Sequence, residues 1–95
     1  MKPQIHYLFH EDPGHGWLEC PRYVLDLLGI ADKVSSYSYQ NATGDIVFLE
    51  EDCDYSLFCD AMKAGGHPFA VAKVHHRGDA PCRHFPSYYH ERMKP

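Results

Sequence analysis

QIHYLFHEDPGHGWLE (4–19) is the stretch that decides how the fold begins, because the pattern of its side chains changes twice. The odd positions of QIHYLFH (4–10) are all bulky and apolar, an alternation typical of a β-strand. EDPGHG (11–16) has the composition of a turn, since Pro13 fixes φ and a glycine accepts positive φ. HGWLE (15–19) then resumes an extended run. The stretch therefore predicts a β-hairpin that displays the turn side chains at its tip.

The rest of the chain carries signals for two helices, a second hairpin and a last strand. The predicted segments are, in chain order, a helix at 21–30, a hairpin at 34–51, a helix at 52–66, a strand at 68–76 and an irregular tail at 77–95. This ββαββαβ order predicts a single small α+β domain over residues 1–95. Its sheet is expected to be mainly antiparallel or mixed, with both helices on one face.

Local chemistry predicts the ends and the buried faces of the two helices. Pro21 suits the first helical position, where the missing N–H costs nothing. Leu27 and Leu28 are expected to belong to the apolar stripe of this helix. Asp52 suits the N-cap of the second helix, and Asp54 suits the positive end of its dipole.

Length, composition and charge limit the class of protein. The chain has 95 residues, of which 44% are hydrophobic, and a formal net charge of −4. No apolar run could span a bilayer and no signal peptide is recognisable, so we expect a cytoplasmic protein with four reduced cysteines. Residues 1–60 hold 11 acidic and 3 basic side chains, whereas residues 61–95 hold 2 and 6. This division predicts one acidic and one basic surface.

The turn of the first hairpin contains candidate metal ligands. His10 and His15 could bind an ion together with Glu11 or Asp12, but nothing in the spacing fixes a third ligand. The same residues could simply be solvent-exposed side chains of the hairpin, and we prefer that interpretation. The metal site stays an alternative, and no cofactor is expected.

Enzymatic chemistry has little support in the sequence. Cys82 stands beside Arg83 and His84 and is the best candidate for a thiol of lowered pKa. No local motif pairs a cysteine with a histidine, and no glycine-rich phosphate loop occurs. We therefore expect a protein that is not an enzyme.

Basic and aromatic side chains are interleaved in the tail. Arg77, Arg83 and Tyr89 could surround a phosphate, which gives the alternative of a small-molecule or nucleotide binder that acts as a homodimer. Rings and cations together can also bind single-stranded nucleic acid. The acidic net charge makes a nucleic-acid partner unlikely, because such domains are usually strongly basic.

Three stretches carry a resemblance to a known family: HEDPGHGWLECP (10–21), LGIADKVSSYSY (28–39) and VFLEEDCD (47–54). In them the chain resembles a family of short uncharacterised proteins of phages, prophages, plasmids and their bacterial hosts. The resemblance continues to RGDAP (77–81), although Cys20 stands where an aliphatic residue is more frequent. It implies an accessory protein of a mobile element, in the cytoplasm of a bacterial host.

The function expected from these observations is binding. Proteins of this size and origin often inhibit or modulate a host protein, as anti-CRISPR and other anti-defence proteins do. Trp17 is ambiguous, since a lone tryptophan in a small domain is more often a core residue. The residues expected to contact a host protein or complex are Glu11, Asp12, His15, Trp17, Glu50, Glu51 and Asp54.

Overall fold

The computed structural model of the protein describes residues 3–90. Its elements are β1 (His6–Glu11), β2 (Gly16–Pro21), α1 (Arg22–Leu28), β3 (Tyr39–Gln40), β4 (Ile46–Glu50), α2 (Asp54–Ala64), β5 (Ala70–His75) and a short 3-10 helix (Pro81–His84). The order ββαββαβ is the predicted one. None of the helices within 3–90 has the length and apolar composition that crossing a membrane requires.

The five strands form one mixed sheet in the order β3-β4-β2-β1-β5. β5 runs parallel to β1, while the other neighbouring pairs are antiparallel. Both helices pack on the same face, because one core cluster joins Tyr7 of β1 to Leu25 of α1 and Phe58 of α2. The predicted α+β class, with two helices on one face of a mixed sheet, is confirmed.

The C-terminal segment (76–90) covers part of the opposite face of the sheet. A second cluster forms there, in which Trp17 and Phe48 pack against Ala80 and Cys82. Apart from the 3-10 helix and one bridge to β3, this segment has the irregular structure predicted for the tail. The last five residues of the predicted tail, 91–95, lie outside the described part of the chain.

Two details of α1 differ from the sequence expectation. Pro21 stands at the N-cap, one position before the helix, with φ −61° and ψ 137°. Leu27 is exposed, and Leu25 takes its place in the core beside Val24. The strand β2 leads directly into α1, so this tight connection, rather than the helical period alone, fixes which face meets the sheet.

The end of α1 requires a left-handed residue, which Gly29 supplies with φ +72°. A Cβ at Gly29 or at Gly78 would meet no atom within 4 Å, but only Gly29 of the two has positive φ. We therefore expect Gly29→Ala to lower the free energy of unfolding by about 1 kcal/mol. Gly78→Ala should change it by less than about 0.5 kcal/mol. Urea unfolding of both variants measures the difference, and equal losses would contradict the conformational explanation.

The start of α2 also differs from the prediction. The helix begins at Asp54, and the N-cap position belongs to Cys53, whose side chain makes no capping hydrogen bond. Asp52 precedes the cap, with a side chain that is 75% exposed. The reason is that the Glu50 carboxylate already accepts hydrogen bonds from the N–H groups of Asp52 (3.0 Å) and Cys53 (2.8 Å). Glu50 thus supplies acceptors to the turn that Asp52 was expected to cap.

Candidate functional site

The pairing of β2 with β4 brings the first hairpin turn next to the start of α2. Trp17 lies opposite Glu50 in this antiparallel pair, and the N–H of Glu51 donates to the carbonyl of Gly16 at 3.1 Å. His15 immediately precedes β2, so its imidazole meets the residues that follow β4. A turn and a helix start that are 35 positions apart in sequence therefore form one site.

Three carboxylates surround the imidazole of His15. Its Nε2–H donates a hydrogen bond to Oε1 of Glu50, which is buried. Oε1 of Glu51 lies 3.3 Å from Nδ1, and Oδ2 of Asp52 lies 3.8 Å from Nε2. One imidazole can carry a single positive charge, so the cluster keeps an excess of negative charge.

The pKa values of the two central groups follow from these contacts. Burial opposes the charged form of His15, but the hydrogen bond to Glu50 and the charges of Glu50, Glu51 and Asp52 outweigh it and raise its pKa. Burial also opposes ionisation of Glu50, but His15 and two backbone N–H groups outweigh it and lower the pKa of this carboxyl. Imidazolium and carboxylate therefore stabilise each other.

Asp12 connects the hairpin turn to the C-terminal segment (76–90). One carboxylate oxygen accepts from the N–H groups of Gly14 (3.0 Å) and His15 (2.9 Å) within the turn. The other accepts from the N–H of Ala80 at 2.8 Å and from Nε of Arg83 at 2.6 Å. The side chain of Asp12 is only 1% exposed. The turn is thus held by a buried hub, and its side chains are not all displayed to solvent.

His15, Glu50, Asp52 and Arg83 are among the residues that line a cleft of about 430 Å³. The guanidinium of Arg83 lies over the ring of Trp17, with its Cζ 4.7 Å from the ring centroid. Tyr37 stands at the cleft with 71% of its surface exposed. The indole Nε1–H of Trp17 is buried and has no hydrogen-bond partner in the described part of the chain. The lining residues are Gly14, His15, Trp17, Tyr37, Tyr39, Glu50, Asp52, Cys53 and Arg83.

The structure does not bring together the metal ligands expected from the sequence. His10 bonds to Glu19 (Nε2 to Oε1, 2.8 Å) and to His76 (Nδ1 to Nε2, 3.0 Å). Glu11 projects from the other face of β1 and pairs with Nδ1 of His75 at 2.6 Å. Asp12 is the hub of the turn. The expected combination of His10 and His15 therefore has no geometric support, because strand alternation and the turn send these side chains to different neighbours.

The seven residues expected to contact a partner do not form one exposed surface. His15 is partly exposed at the cleft, Glu51 is exposed beside it, and Glu11 lies beside β5. Four of the seven are buried and bonded or packed internally, which corrects the expectation of an exposed loop and an exposed acidic run. These four are Asp12, Trp17, Glu50 and Asp54.

Asp54 has a structural role that the sequence did not reveal. Its carboxylate accepts from the N–H of Ser35 at 3.0 Å and from both the Ser35 hydroxyl, at 2.7 Å, and the Ser38 hydroxyl. The hydroxyl of Ser38 in turn accepts from the N–H of Glu50 at 2.9 Å. Asp54 thereby connects the loop before β3 to the start of α2 and, through Ser38, to the cleft residue Glu50.

The basic and aromatic residues proposed for a phosphate site are engaged separately. Arg83 binds Asp12, and the backbone of Tyr89 bonds to the side chains of Gln40 and Arg22. Within residues 3–90, no hydrogen bond or ion pair joins any two of Arg77, Arg83 and Tyr89. Their placement gives the nucleotide alternative no geometric support.

The expectation of a thiol with lowered pKa at Cys82 is wrong. Burial raises the pKa of the Cys82 thiol to about 12, and the neighbouring charge of Arg83 opposes this only in part. At the cleft, the hydrogen bond to Glu50 raises the pKa of the exposed Cys53 thiol. Neither cysteine is therefore activated as a thiolate.

The sequence did not predict that Asp52, Tyr37 and Tyr39 would line a cleft. Asp52 was assigned to a helix cap, and Tyr37 and Tyr39 were treated only as part of a strand. The run of carboxylates at 50–52 was the available signal for Asp52. No sequence signal could place the two tyrosines, because Tyr39 reaches the cleft through the pairing of β3 with β4 and Tyr37 lies in the loop before β3.

Comparisons of the chain with protein-family models, with curated proteins and with solved structures found no match. The fold and the cleft geometry therefore carry the functional argument, together with the sequence resemblance.

Proposed function

We propose that the chain is a small non-enzymatic binding protein of a mobile element, which inhibits or modulates a protein of its bacterial host. The proposed protein is of the anti-CRISPR or other anti-defence type and acts in the host cytoplasm. The mobile-element origin rests on the sequence resemblance. The observation that carries the binding site is the excess of carboxylates around His15, where oxygens of Glu51 and Asp52 lie 3.3 and 3.8 Å from the imidazole nitrogens.

The chemistry of the cleft favours a positively charged group of the partner. Asp12 neutralises Arg83, so the cleft cation is already paired, whereas among residues 3–90 His15 alone forms ion pairs with the acidic cluster. The exposed ring of Tyr37 can contact a cationic side chain of the partner. A lysine or arginine of the partner protein therefore fits this cleft better than an acidic group.

Charge reversal at the two exposed carboxylates beside His15 tests the proposal. Glu51→Lys combined with Asp52→Lys should lower partner retention from host lysate about tenfold or more, since like charges then face the basic partner. Both side chains are solvent-accessible, at 38% and 75%, so the fold should tolerate the change. Retention is measured with immobilised purified protein.

The matched control reverses two exposed carboxylates on the helices, with Asp26→Lys combined with Asp60→Lys. This control has the same net charge as the cleft variant, and it should retain the partner at the wild-type level. Equal retention by the two double variants would remove the cleft from the proposal. Absence of any retained host protein with the wild-type chain would contradict the proposed function itself.

A further inference from the structure

We propose that His15, Glu50 and Asp52 form a binding site for one divalent transition-metal ion. This site differs from the His10–His15 combination that the sequence suggested, and two of its three ligands come from the other side of the cleft. It goes beyond the proposed function, because metal binding by the isolated chain needs no partner.

The first observation is the distance between the donor atoms. One ligand atom from each of the three residues lies within 4.8 Å of the other two, the one such group found within residues 3–90. Two ligands that each lie about 2.1 Å from an ion are separated by at most about 4.2 Å. The separation of 3.8 Å between Nε2 of His15 and Oδ2 of Asp52 is within that limit. For an ion to bind, Nε2 of His15 would release its proton, and the hydrogen bond between His15 and Glu50 would be replaced by bonds from both side chains to the ion.

The second observation is the chemistry of the ligand set. An imidazole nitrogen is a ligand for zinc, iron, nickel and copper ions, and carboxylates complete many of their sites. Magnesium and calcium prefer sites made entirely of oxygen. The mixed set therefore fits a divalent transition metal, with positions left open towards the cleft for water or another ligand.

The third observation lies outside the acidic cluster. Trp17 lines the same cleft and is only 2% exposed, and no group within residues 3–90 accepts a hydrogen bond from its indole Nε1–H. A buried donor without an acceptor costs free energy, so a ligand that carries an oxygen atom would satisfy it. Water or a carboxylate brought in by an ion is a ligand of that kind.

The ligand side chains are also held in position before any ion binds. Glu50 is fixed by the N–H groups of Asp52 and Cys53, and the turn that carries His15 is fixed by Asp12. Such preorganisation lowers the conformational cost of binding. Of the three ligands, Asp52 is the exposed one. Its backbone N–H bonds to Glu50, and its side chain is 75% exposed.

Calorimetric titration of untagged, chelator-treated protein with Zn²⁺ tests the site. We expect one ion per chain, and at least about tenfold weaker binding for Asp52→Asn, since even the loss of an outer partner of a metal ligand costs that much. His15→Gln should weaken binding at least as strongly. His6→Gln is the matched control, because His6 is an exposed histidine at the start of β1, and this variant should bind as the wild type does.

Thermal unfolding without metal shows whether each variant is folded. If His15→Gln does not fold, Asp52→Asn still tests the site, because Asp52 is exposed. No Zn²⁺ binding by the wild type would overturn the metal site, as would unchanged affinity in folded Asp52→Asn. These titrations use the isolated chain, so their failure leaves the partner proposal standing. Failure of the wild-type chain to retain any host protein would likewise leave the metal site standing.

Discussion

Asp12→Ala is expected to lower the melting temperature by more than about 10 °C, because it removes the acceptor of four groups, among them the buried N–H of Ala80 and the charged guanidinium of Arg83. In the wild type the Asp12 carboxylate accepts from the turn at Gly14 and His15 and from the C-terminal segment at Ala80 and Arg83. The variant leaves the guanidinium of Arg83 without its carboxylate. Circular dichroism measures the unfolding temperature.

The control for this prediction is Asp60→Ala, which removes an exposed carboxylate from α2. It should shift the melting temperature by no more than a few degrees, because surface substitutions away from such hubs have small effects. Equal melting temperatures for Asp12→Ala and the wild type would show that the turn and the segment do not depend on this carboxylate.

The same contacts predict a dependence on acid. The hydrogen bond from Arg83, followed by those from Ala80, Gly14 and His15, holds the pKa of Asp12 well below its usual range. The folded state therefore binds this proton more weakly than the unfolded chain does. The contribution of Asp12 is fully present above the ordinary aspartate pKa of about 3.9 and is lost as the pH falls towards the folded-state value. Asp12→Asn should lack this part of the acid destabilisation in denaturant titrations at successive pH values.

Trp17→Ala is expected to cost about 3–5 kcal/mol of unfolding free energy, the range for removal of a buried aromatic ring. Trp17 is 2% exposed and belongs to the cluster that attaches the C-terminal segment to the sheet, with Phe48, Ala80 and Cys82. Its loss also removes the ring beneath the guanidinium of Arg83. Chemical denaturation at equilibrium gives the free energy directly.

Tyr37→Ala is the matched control, because this ring lines the same cleft but is 71% exposed. It should change the unfolding free energy by less than about 0.5 kcal/mol. Trp17→Phe should lie between the two, since it keeps part of the packing and removes the indole N–H. A Trp17→Ala loss no larger than that of Tyr37→Ala would contradict the core role of Trp17.

Much of the fold could be predicted from the sequence because its signals are local. Period-two alternation gave the strands of QIHYLFHEDPGHGWLE (4–19), and glycines ended both helices where expected. Errors arose where a local preference met a tertiary contact. The N-cap expected of Asp52 was made unnecessary by Glu50, and the core place expected of Leu27 went to Leu25.

The candidate site could be predicted only in part. His15, Glu50 and Glu51 were expected to act in binding, and the structure places all three at one cluster. Their mutual arrangement depends on the β2–β4 register. The position of Asp12 depends on bonds to residues 68 and 71 positions away. Spacing along the chain contains no information about such contacts.

The sequence by itself determined the α+β class and the order of elements, since turn residues and hydrophobic periods act over a few neighbouring positions. Only the tertiary structure decided that the turn of the first hairpin is half buried. It did so by pairing β2 with β4, which brings carboxylates to His15, and by folding the C-terminal segment back onto Asp12 and Trp17. The physical reason is that burial and charge pairing are set by distances in space, and these distances exist only once the strands have paired.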